Sequence, residues 1–248
     1  MSIFEAGVRS RGPVAFRLVD DPAVARHWRR DWGAEIRSLA PAATPRKPLR
    51  SLVGLAGQLA IPVLLLLVAG EACLLYSQMP PPVWIGGDRA MPLGLLLLPG
   101  TFFVVQLTNR RYGGVAASLQ LVVASLAAVA ILLLRPDWLS GLPDLHQWGT
   151  RTVLSFGMAL FLAHAASVMV FDWLRGPAWW RAPFFASLAA GLVFCLLAYP
   201  FAYAGRWADW ADAMTRNLAI MTVAATLLLV PYWLLRRFVE PLPGFGGY

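Results

Sequence analysis

The chain has 248 residues, of which 58% are hydrophobic and only 14% charged, and its formal net charge is +8. A soluble domain carries about a quarter charged residues, so this composition argues against an ordinary water-soluble globular protein. The excess of positive charge falls where membrane topology would place it, and nucleic acid is therefore not expected as a partner.

Six apolar stretches are each about long enough to cross a bilayer, which takes about 20 residues of helix. The hydrocarbon core offers no water, so every backbone amide must be paired within its own segment and helices are expected. The predicted fold is all-α: a polytopic membrane protein in which residues 51–238 form a bundle of six transmembrane helices. The stretches are Leu52–Ser77, Met91–Leu107, Val115–Leu134, Val153–Leu174, Pro183–Ala204 and Leu218–Leu235.

The Lys and Arg residues lie mostly on one side of these stretches. Ten of the 21 basic residues precede the first stretch. If the later loops alternate between the two sides of the membrane, sixteen basic residues lie on one side and five on the other. The positive-inside rule then predicts that both termini are cytoplasmic. Residues 1–50 are interpreted as a basic cytoplasmic arm, and residues 239–248 as a short cytoplasmic tail.

The basic arm contains one segment with a helical pattern. Within residues 23–32, Val24, Trp28 and Trp32 recur every four positions, behind an Asp-Pro pair that favours the start of a helix. One interpretation is a short interfacial helix on anionic membrane lipid. The other is a mobile arm whose arginines only set the orientation of the protein.

The second stretch is short and contains Pro99-Gly100 near its middle. Transporters often build their binding sites at broken helices, where freed backbone groups face a cavity. The alternative is a simple proline kink whose freed groups are satisfied by neighbouring helices, and a single Pro-Gly pair favours this alternative.

Polar residues inside the predicted spans are costly and are therefore the main candidates for a binding site. Gln106 lies at the end of the second stretch, close to Thr108 and Arg110, and His164 lies near the middle of the fourth. Ser167 follows His164 by three residues and shares nearly the same helix face. A membrane histidine suits a proton relay, a substrate contact or a pigment ligand, and equally a neutral ring bonded to a nearby carbonyl.

Other classes of chemistry have no support in the sequence. No second histidine lies in a predicted span, which disfavours a bis-histidine haem. The two cysteines, Cys73 and Cys195, both lie in apolar stretches, as small core residues do. There is no HExxH, GxSxG, Walker or glycine-rich dinucleotide motif, and no Cys/His cluster with zinc spacing. We therefore expect no cofactor, no metal site, no catalytic residue and no enzyme activity.

Two groups of motifs carry a resemblance to a known family. The string QLTNRRYG at Gln106–Gly113 resembles the D-L-T-x-R-x-F-G segment of the VUT-type membrane proteins, the queuosine precursor transporters. An Arg-Thr pair at 151–152 opens a helix that ends in VFDWLR at 170–175, followed by WW at 179–180 and AP at 182–183. This order is similar to the R…VFxxLR…WW…AP arrangement of the family.

The resemblance covers about residues 90–238 and implies a six-span inner-membrane importer. Its cargo would be a queuosine precursor, a neutral deazapurine such as 7-cyano-7-deazaguanine, or another small heterocycle. Such a flat ring needs amide and hydroxyl partners on its edge and apolar faces around it. The expected substrate-binding residues are Gln106, Thr108, His164 and Ser167, and the expected inner-face anchor is Arg110.

The sequence departs from the family at its polar positions. Gln106 replaces an acidic residue, and His164 and Ser167 lie where the family tends to carry Gln and Asp. Gly191 and Phe194 align with an Asn and an Asp of the family. Because sites that bond polar edges discriminate strongly, we expect an altered specificity. The alternative is a non-transporting structural or accessory subunit of a membrane complex, which the scarcity of polar groups in the third, fifth and sixth stretches favours.

The expected partners are a small-molecule substrate and membrane lipid. Since no ATP motif is present, transport would be facilitated, ion-coupled or driven by a separate energising partner. Small residues in Ala116–Ser118 and Ala186–Gly191 permit close helix packing, either within the chain or in a homo-oligomer.

Overall fold

Seven helices make up the part of the chain that the computed structural model describes, namely residues 52–77, 79, 92–134, 149–176, 178–205 and 208–241. The helices are α1 Leu52–Leu75, α2 Leu93–Tyr112, α3 Gly114–Leu134, α4 Thr150–Trp173, α5 Arg181–Tyr203, α6 Trp210–Leu227 and α7 Leu229–Leu235. The helix predicted at residues 23–32, and most of the predicted tail, lie outside the described residues. All regular structure within the described residues is helical, and the predicted all-α class is confirmed.

Five segments of the described chain are long and apolar enough to cross a membrane. They are Gly57–Leu75, Gly114–Leu134, Thr150–Trp173, Arg181–Tyr203 and Trp210–Leu235, the last combining α6 with α7. The remaining predicted span, the second in the chain, is α2, which has 20 residues but is less apolar, because Arg110 and Arg111 occupy its last turn. The protein is therefore a multi-pass membrane protein built from helices.

Two predicted boundaries are wrong, and polar residues explain both. The sixth span begins at Trp210 rather than Leu218, because Asp212 and Arg216 form an ion pair four residues apart on the helix surface, which lowers the local hydropathy without ending the helix. Likewise α2 continues to Tyr112, so most of the string QLTNRRYG is helical rather than an inner loop.

The second helix is continuous through its proline. Pro99 lies inside α2, which runs without interruption from Leu93 to Tyr112. The structure thus shows no break in the helix at this proline. Next to the proline, the Thr101 hydroxyl donates to the main-chain oxygen of Leu98 at 2.8 Å, which satisfies this buried polar group within its own helix.

A single residue connects α2 to α3. Gly113 has a φ of +86°, a left-handed conformation that glycine adopts at little cost, and its N–H bonds to the Asn109 carbonyl at 2.9 Å. The next residue, Gly114, lies against α4: a Cβ there would come within 1.8 Å of an Asp172 carboxylate oxygen. This tight corner brings the ends of α2 and α4 together.

Small side chains let the helices of the bundle approach one another. The most extensive packing joins α4 to α5, followed by α5 to α6. Buried alanines lie along both sides of these contacts: Ala159, Ala163, Ala186, Ala190, Ala198 and Ala213. A Cβ on Gly191 would come within 2.9 Å of the Met221 Cβ on α6. Because lipid offers no hydrophobic force between helices, such close contact is the main source of packing energy. The small residues of Ala186–Gly191 therefore pack within the chain.

Hydrogen bonds join the first helix to the bundle near its middle and just after its end. Gln120 of α3 donates through Nε2 to the main-chain oxygen of Pro62 in α1, at 2.7 Å. Just after the C-terminal end of α1, the Tyr76 carbonyl accepts a bond from the N–H of Gly94 at 3.0 Å. A Cβ at Gly94 would lie only 2.1 Å from the main-chain oxygen of Cys73. Only glycine at this position therefore lets the start of α2 lie this close to α1.

Arg151 provides a testable contribution to stability, since it caps the C-terminus of α5 from the start of α4. Its Nε donates to the Phe201 carbonyl at 2.5 Å and an Nη to the Ala204 carbonyl at 3.3 Å. These carbonyls lack helical donors, and the dipole of α5 favours a cation there. We expect Arg151→Ala to lower the free energy of unfolding by about 1 kcal/mol. The apparent Tm in detergent should fall by about 2–4 °C, while Arg181→Ala, another exposed arginine at a helix start, should change it less.

Candidate functional site

Three helices meet at a cluster of buried polar side chains, which we call the polar junction: Gln106 of α2, Ser167 of α4 and Ser187 of α5. The Gln106 amide donates through Nε2 to the Ser187 hydroxyl at 2.9 Å and to the Ser167 hydroxyl at 3.3 Å. The three side chains are at most 5% exposed. The junction is therefore an interhelical hydrogen-bonded group inside the membrane-spanning bundle.

Aromatic and small residues surround the next turns of the same helices. Phe102 lies one turn before Gln106 on α2, and Phe194 lies two turns after Ser187 on α5; both belong to the apolar core with Ala163. An amide in such surroundings is costly unless its N–H groups are bonded. The two serine oxygens meet this need, and all three members of the junction are uncharged.

The structure brings together two of the predicted substrate residues and places a third one turn away. Gln106 and Ser167 are hydrogen-bonded, as described above. His164 is 3% exposed, and its Nδ1 lies 2.8 Å from the Leu160 carbonyl, which makes Nδ1 the donor in this bond. Its ring packs edge-on against Phe102 at 4.9 Å. The other nitrogen, Nε2, is buried and has no hydrogen-bond partner among the described residues.

The other two predicted residues lie away from the polar junction. The Thr108 hydroxyl bonds to the Val104 carbonyl of its own helix at 3.2 Å. Arg110 lies at the end of α2, where its Nε donates to the Val239 carbonyl at 3.1 Å and its guanidinium lies 6.0 Å from the Tyr232 ring centre. Thr108 thus has a local partner, and Arg110 ties α2 to the segment after α7.

Sequence reasoning missed Ser187 and Asn217. Ser187 lies in an almost wholly apolar stretch. The only sign of a polar site there is its hydroxyl, which lies among small residues such as Ala186 and Ala190. Asn217 lies just before the predicted start of the sixth span, so the hydropathy pattern places it in a loop. It is in fact completely buried in α6, and neither atom of its amide group has a hydrogen-bond partner among the described residues.

A second polar cluster joins α2 to the end of α4. The buried Asn109 donates through Nδ2 to the Val168 carbonyl at 3.2 Å. Arg175 donates to both oxygens of Asn109, at 2.6 Å to the main chain and 2.5 Å to the side chain. Its Nε also bonds to Asp172 at 2.8 Å. Asn109 therefore fixes the Arg175 guanidinium at the end of the bundle.

The two buried asparagines provide a matched test of this arrangement. Asn109→Ala removes two hydrogen bonds, one of them from a charged donor, and we expect it to lower the free energy of unfolding by about 2 kcal/mol more than Asn217→Ala does. Both changes remove the same atoms from a fully buried position, so the cavity terms are similar. The measurement is the apparent Tm of each purified variant in detergent. Equal losses would contradict the role assigned to Asn109.

No family model, no curated protein and no solved structure matches this chain. Within the described residues, no group of three His, Cys, Asp or Glu side chains is placed to hold a metal ion. The functional interpretation therefore depends on the polar junction, its surroundings and the motifs quoted from the sequence.

Proposed function

We propose that this protein is an inner-membrane transporter of the queuosine-precursor type with an altered specificity, and that its cargo is a small neutral heterocycle such as a deazapurine. The polar junction carries the proposal. Intramembrane polar groups that are shared by several helices typically mark a substrate path. The motif resemblance over residues 90–238 supports the narrower choice of cargo class.

The chemistry around the junction suits an uncharged planar ring. The Gln106 amide offers two N–H donors and a carbonyl, and the two serines offer hydroxyls that donate or accept. One turn from Ser167, His164 adds an Nε2 that has no hydrogen-bond partner within the described part of the chain. Phe102 provides an apolar face next to His164. With neutral donors and acceptors only, the junction favours a neutral cargo over an ion.

Transport through the junction requires a second conformation. In the conformation described here both serine hydroxyls accept from Gln106, and the group is closed to solvent. In the proposed cycle α2 separates from α5, and the cargo edge replaces the serine oxygens as the partner of Nε2. Because the hydrogen bonds lost from the serines are replaced by bonds to the cargo, their exchange adds little to the free-energy cost of separating the helices. Coupling to an ion or to an energising partner would set the direction of transport.

Cells provide the first experiment. The chain is expressed in cells that lack both de novo queuosine synthesis and their own importer, and 7-cyano-7-deazaguanine is supplied in the medium. The proposal predicts that queuosine appears in tRNA, and that it does not appear with an empty vector. Absence of queuosine, with the protein shown to be in the membrane, would exclude the deazapurine as cargo.

A second candidate function is a structural or accessory subunit of a membrane complex. One observation favours it: Nε2 of Gln106 already bonds to both serines, so the junction can act simply as a cross-link between three helices. This alternative predicts a stoichiometric partner that co-purifies in mild detergent, and no cargo movement through the isolated chain.

A further inference from the structure

Asn217 of α6 has an amide group whose hydrogen-bonding capacity no described residue uses. The residue is completely buried, and neither Nδ2 nor Oδ1 has a hydrogen-bond partner within the described part of the chain. An amide in an apolar interior is costly unless it is bonded, and nearly all buried polar groups of native proteins have partners. The Asn217 amide thus presents a donor and an acceptor side by side in the core of the bundle.

This amide lies on the core face of α6. Ala213 and Met221, one turn before and one turn after Asn217, both belong to the apolar core shared with α4 and α5. Tyr199 of α5 belongs to the same core, and its side chain interacts with Asn217. Asn217 therefore faces the neighbouring helices and not the lipid.

Aromatic rings of α4 and α5 line the same core. The Phe156 ring lies 5.7 Å from the Phe194 ring and 6.0 Å from each of the Tyr199 and Tyr203 rings, measured between ring centres. Three of these rings come from α5 and one from α4. Aromatic and apolar faces around a few polar groups are typical of sites for small planar ligands.

The charges of α6 compensate each other. Asp212 and Arg216 are its only acidic and basic residues, and they form an ion pair on the helix surface. Since Asn217 and the tyrosines are uncharged, the surroundings suit a neutral ligand better than an ion.

Asn217 and the polar junction lie at different depths. Helices α5 and α6 are consecutive spans and so run in opposite directions, and they approach closely where a Cβ on Gly191 would come within 2.9 Å of the Met221 Cβ. Ser187 lies one turn before Gly191, and Asn217 lies one turn before Met221, so they lie on opposite sides of this contact. Eight residues of helix correspond to about 12 Å along the bundle. The two polar groups are therefore separate sites.

The predicted topology assigns a side to each of them. With the C-terminus in the cytoplasm, α6 begins at the outer surface and α5 begins at the inner one. Asn217 then lies in the outer half of the bundle and the polar junction in the inner half. A cargo that enters from outside would reach the level of Asn217 first.

We propose that Asn217 is the binding residue of a second, outer site, which takes the donor–acceptor edge of a neutral planar ring such as the lactam of a deazapurine. Nδ2 donates to the ring carbonyl, and Oδ1 accepts from the adjacent ring N–H. The aromatic rings of α4 and α5 provide the faces. This inference rests on the proposed transport function and adds to it an outer site that is occupied before the polar junction.

Binding of labelled 7-cyano-7-deazaguanine to the purified full-length chain in detergent tests this site. Asn217→Leu keeps the number and branching of the side-chain heavy atoms but removes the donor and the acceptor, and it should weaken binding at least about tenfold. Its apparent Tm should equal or exceed that of the wild type, because an unbonded buried amide is replaced by an apolar group. Thr222→Val is the control: it removes a hydroxyl from the exposed face of the same helix and should bind like the wild type.

A chemical change in the ligand tests the same contact from the other side. A derivative methylated at the lactam N–H cannot donate to Oδ1, so the wild type should bind it at least about tenfold more weakly than the parent compound. Asn217→Leu should lose most of this preference. If Asn217→Leu fails to fold, Asn217→Ala takes its place in both comparisons.

Three outcomes would overturn the proposal: no binding of the parent compound by the wild type, wild-type binding in a folded Asn217 variant, or an unchanged preference for the parent compound in that variant. Failure of this site differs from failure of the transport function. Uptake into vesicles together with wild-type binding by Asn217→Leu would remove the outer site alone. Binding that depends on Asn217 without uptake into vesicles would remove transport and keep the site.

Discussion

Import through a Gln106→Met variant is expected to fall about ten- to hundredfold, because methionine keeps the length and flexibility of glutamine but removes both N–H donors. The serine hydroxyls left without Nε2 can bond to carbonyls of their own helices, so the bundle should still assemble. The measurement is uptake of labelled 7-cyano-7-deazaguanine in the importer-deficient cells, normalised to the amount of protein in the membrane.

Thr108→Val is the matched control for this prediction. Valine has nearly the shape of threonine, and the lost hydroxyl bonds only to Val104 of the same helix. Uptake should therefore stay within about twofold of the wild type, since a local bond of this kind contributes little. Full uptake by Gln106→Met, or an equal loss of uptake in both variants, would show that the polar junction is not part of the substrate path.

Gly94→Ala is expected to destabilise the protein by about 3 kcal/mol or more. The added Cβ would lie 2.1 Å from the Cys73 carbonyl oxygen and 2.9 Å from main-chain atoms of Ser77. These are backbone atoms, which cannot rotate away as a side chain would, so the end of α1 must shift from the start of α2. The readout is the yield of monodisperse protein in detergent and its apparent Tm.

Gly100→Ala, in the same helix, should have the opposite effect. A Cβ at Gly100 would meet no atom within 4 Å, and alanine is favoured over glycine in a helix by about 1 kcal/mol. The apparent Tm of this variant should equal or exceed that of the wild type. If both alanine variants lowered it alike, the close approach of α1 and α2 at Gly94 would be contradicted.

Much of the fold could be predicted because hydropathy depends on local composition. The apolar runs located all six long helices, and five segments of the described chain are long and apolar enough to cross a membrane. Most helix ends fall within a few residues of the predicted ones. The errors arose where polar residues continue a helix, as at Asp212 and Arg216, which pair along the surface of α6. Only the structure shows that one residue, Gly113, is enough to connect α2 to α3.

The candidate site could be predicted only in part. Gln106 and Ser167 stood out as polar residues in apolar surroundings, but their distance depends on how α2 packs against α4, 61 positions apart in the sequence. Ser187 was missed because a single hydroxyl hardly changes the hydropathy of a helix. A small cavity is lined by Arg110 of α2, Arg175 of the turn after α4 and Tyr232 of α7, and no local pattern relates these residues.

Uptake by the purified protein in liposomes tests the central claim most directly, because no other protein is present. Vesicles with the wild-type chain should take up labelled 7-cyano-7-deazaguanine in a saturable manner, and vesicles with Gln106→Met should take it up about ten- to hundredfold more slowly. Wild-type uptake no faster than that of protein-free vesicles, with the protein shown to be inserted and monodisperse, would contradict transport of this cargo by the chain alone.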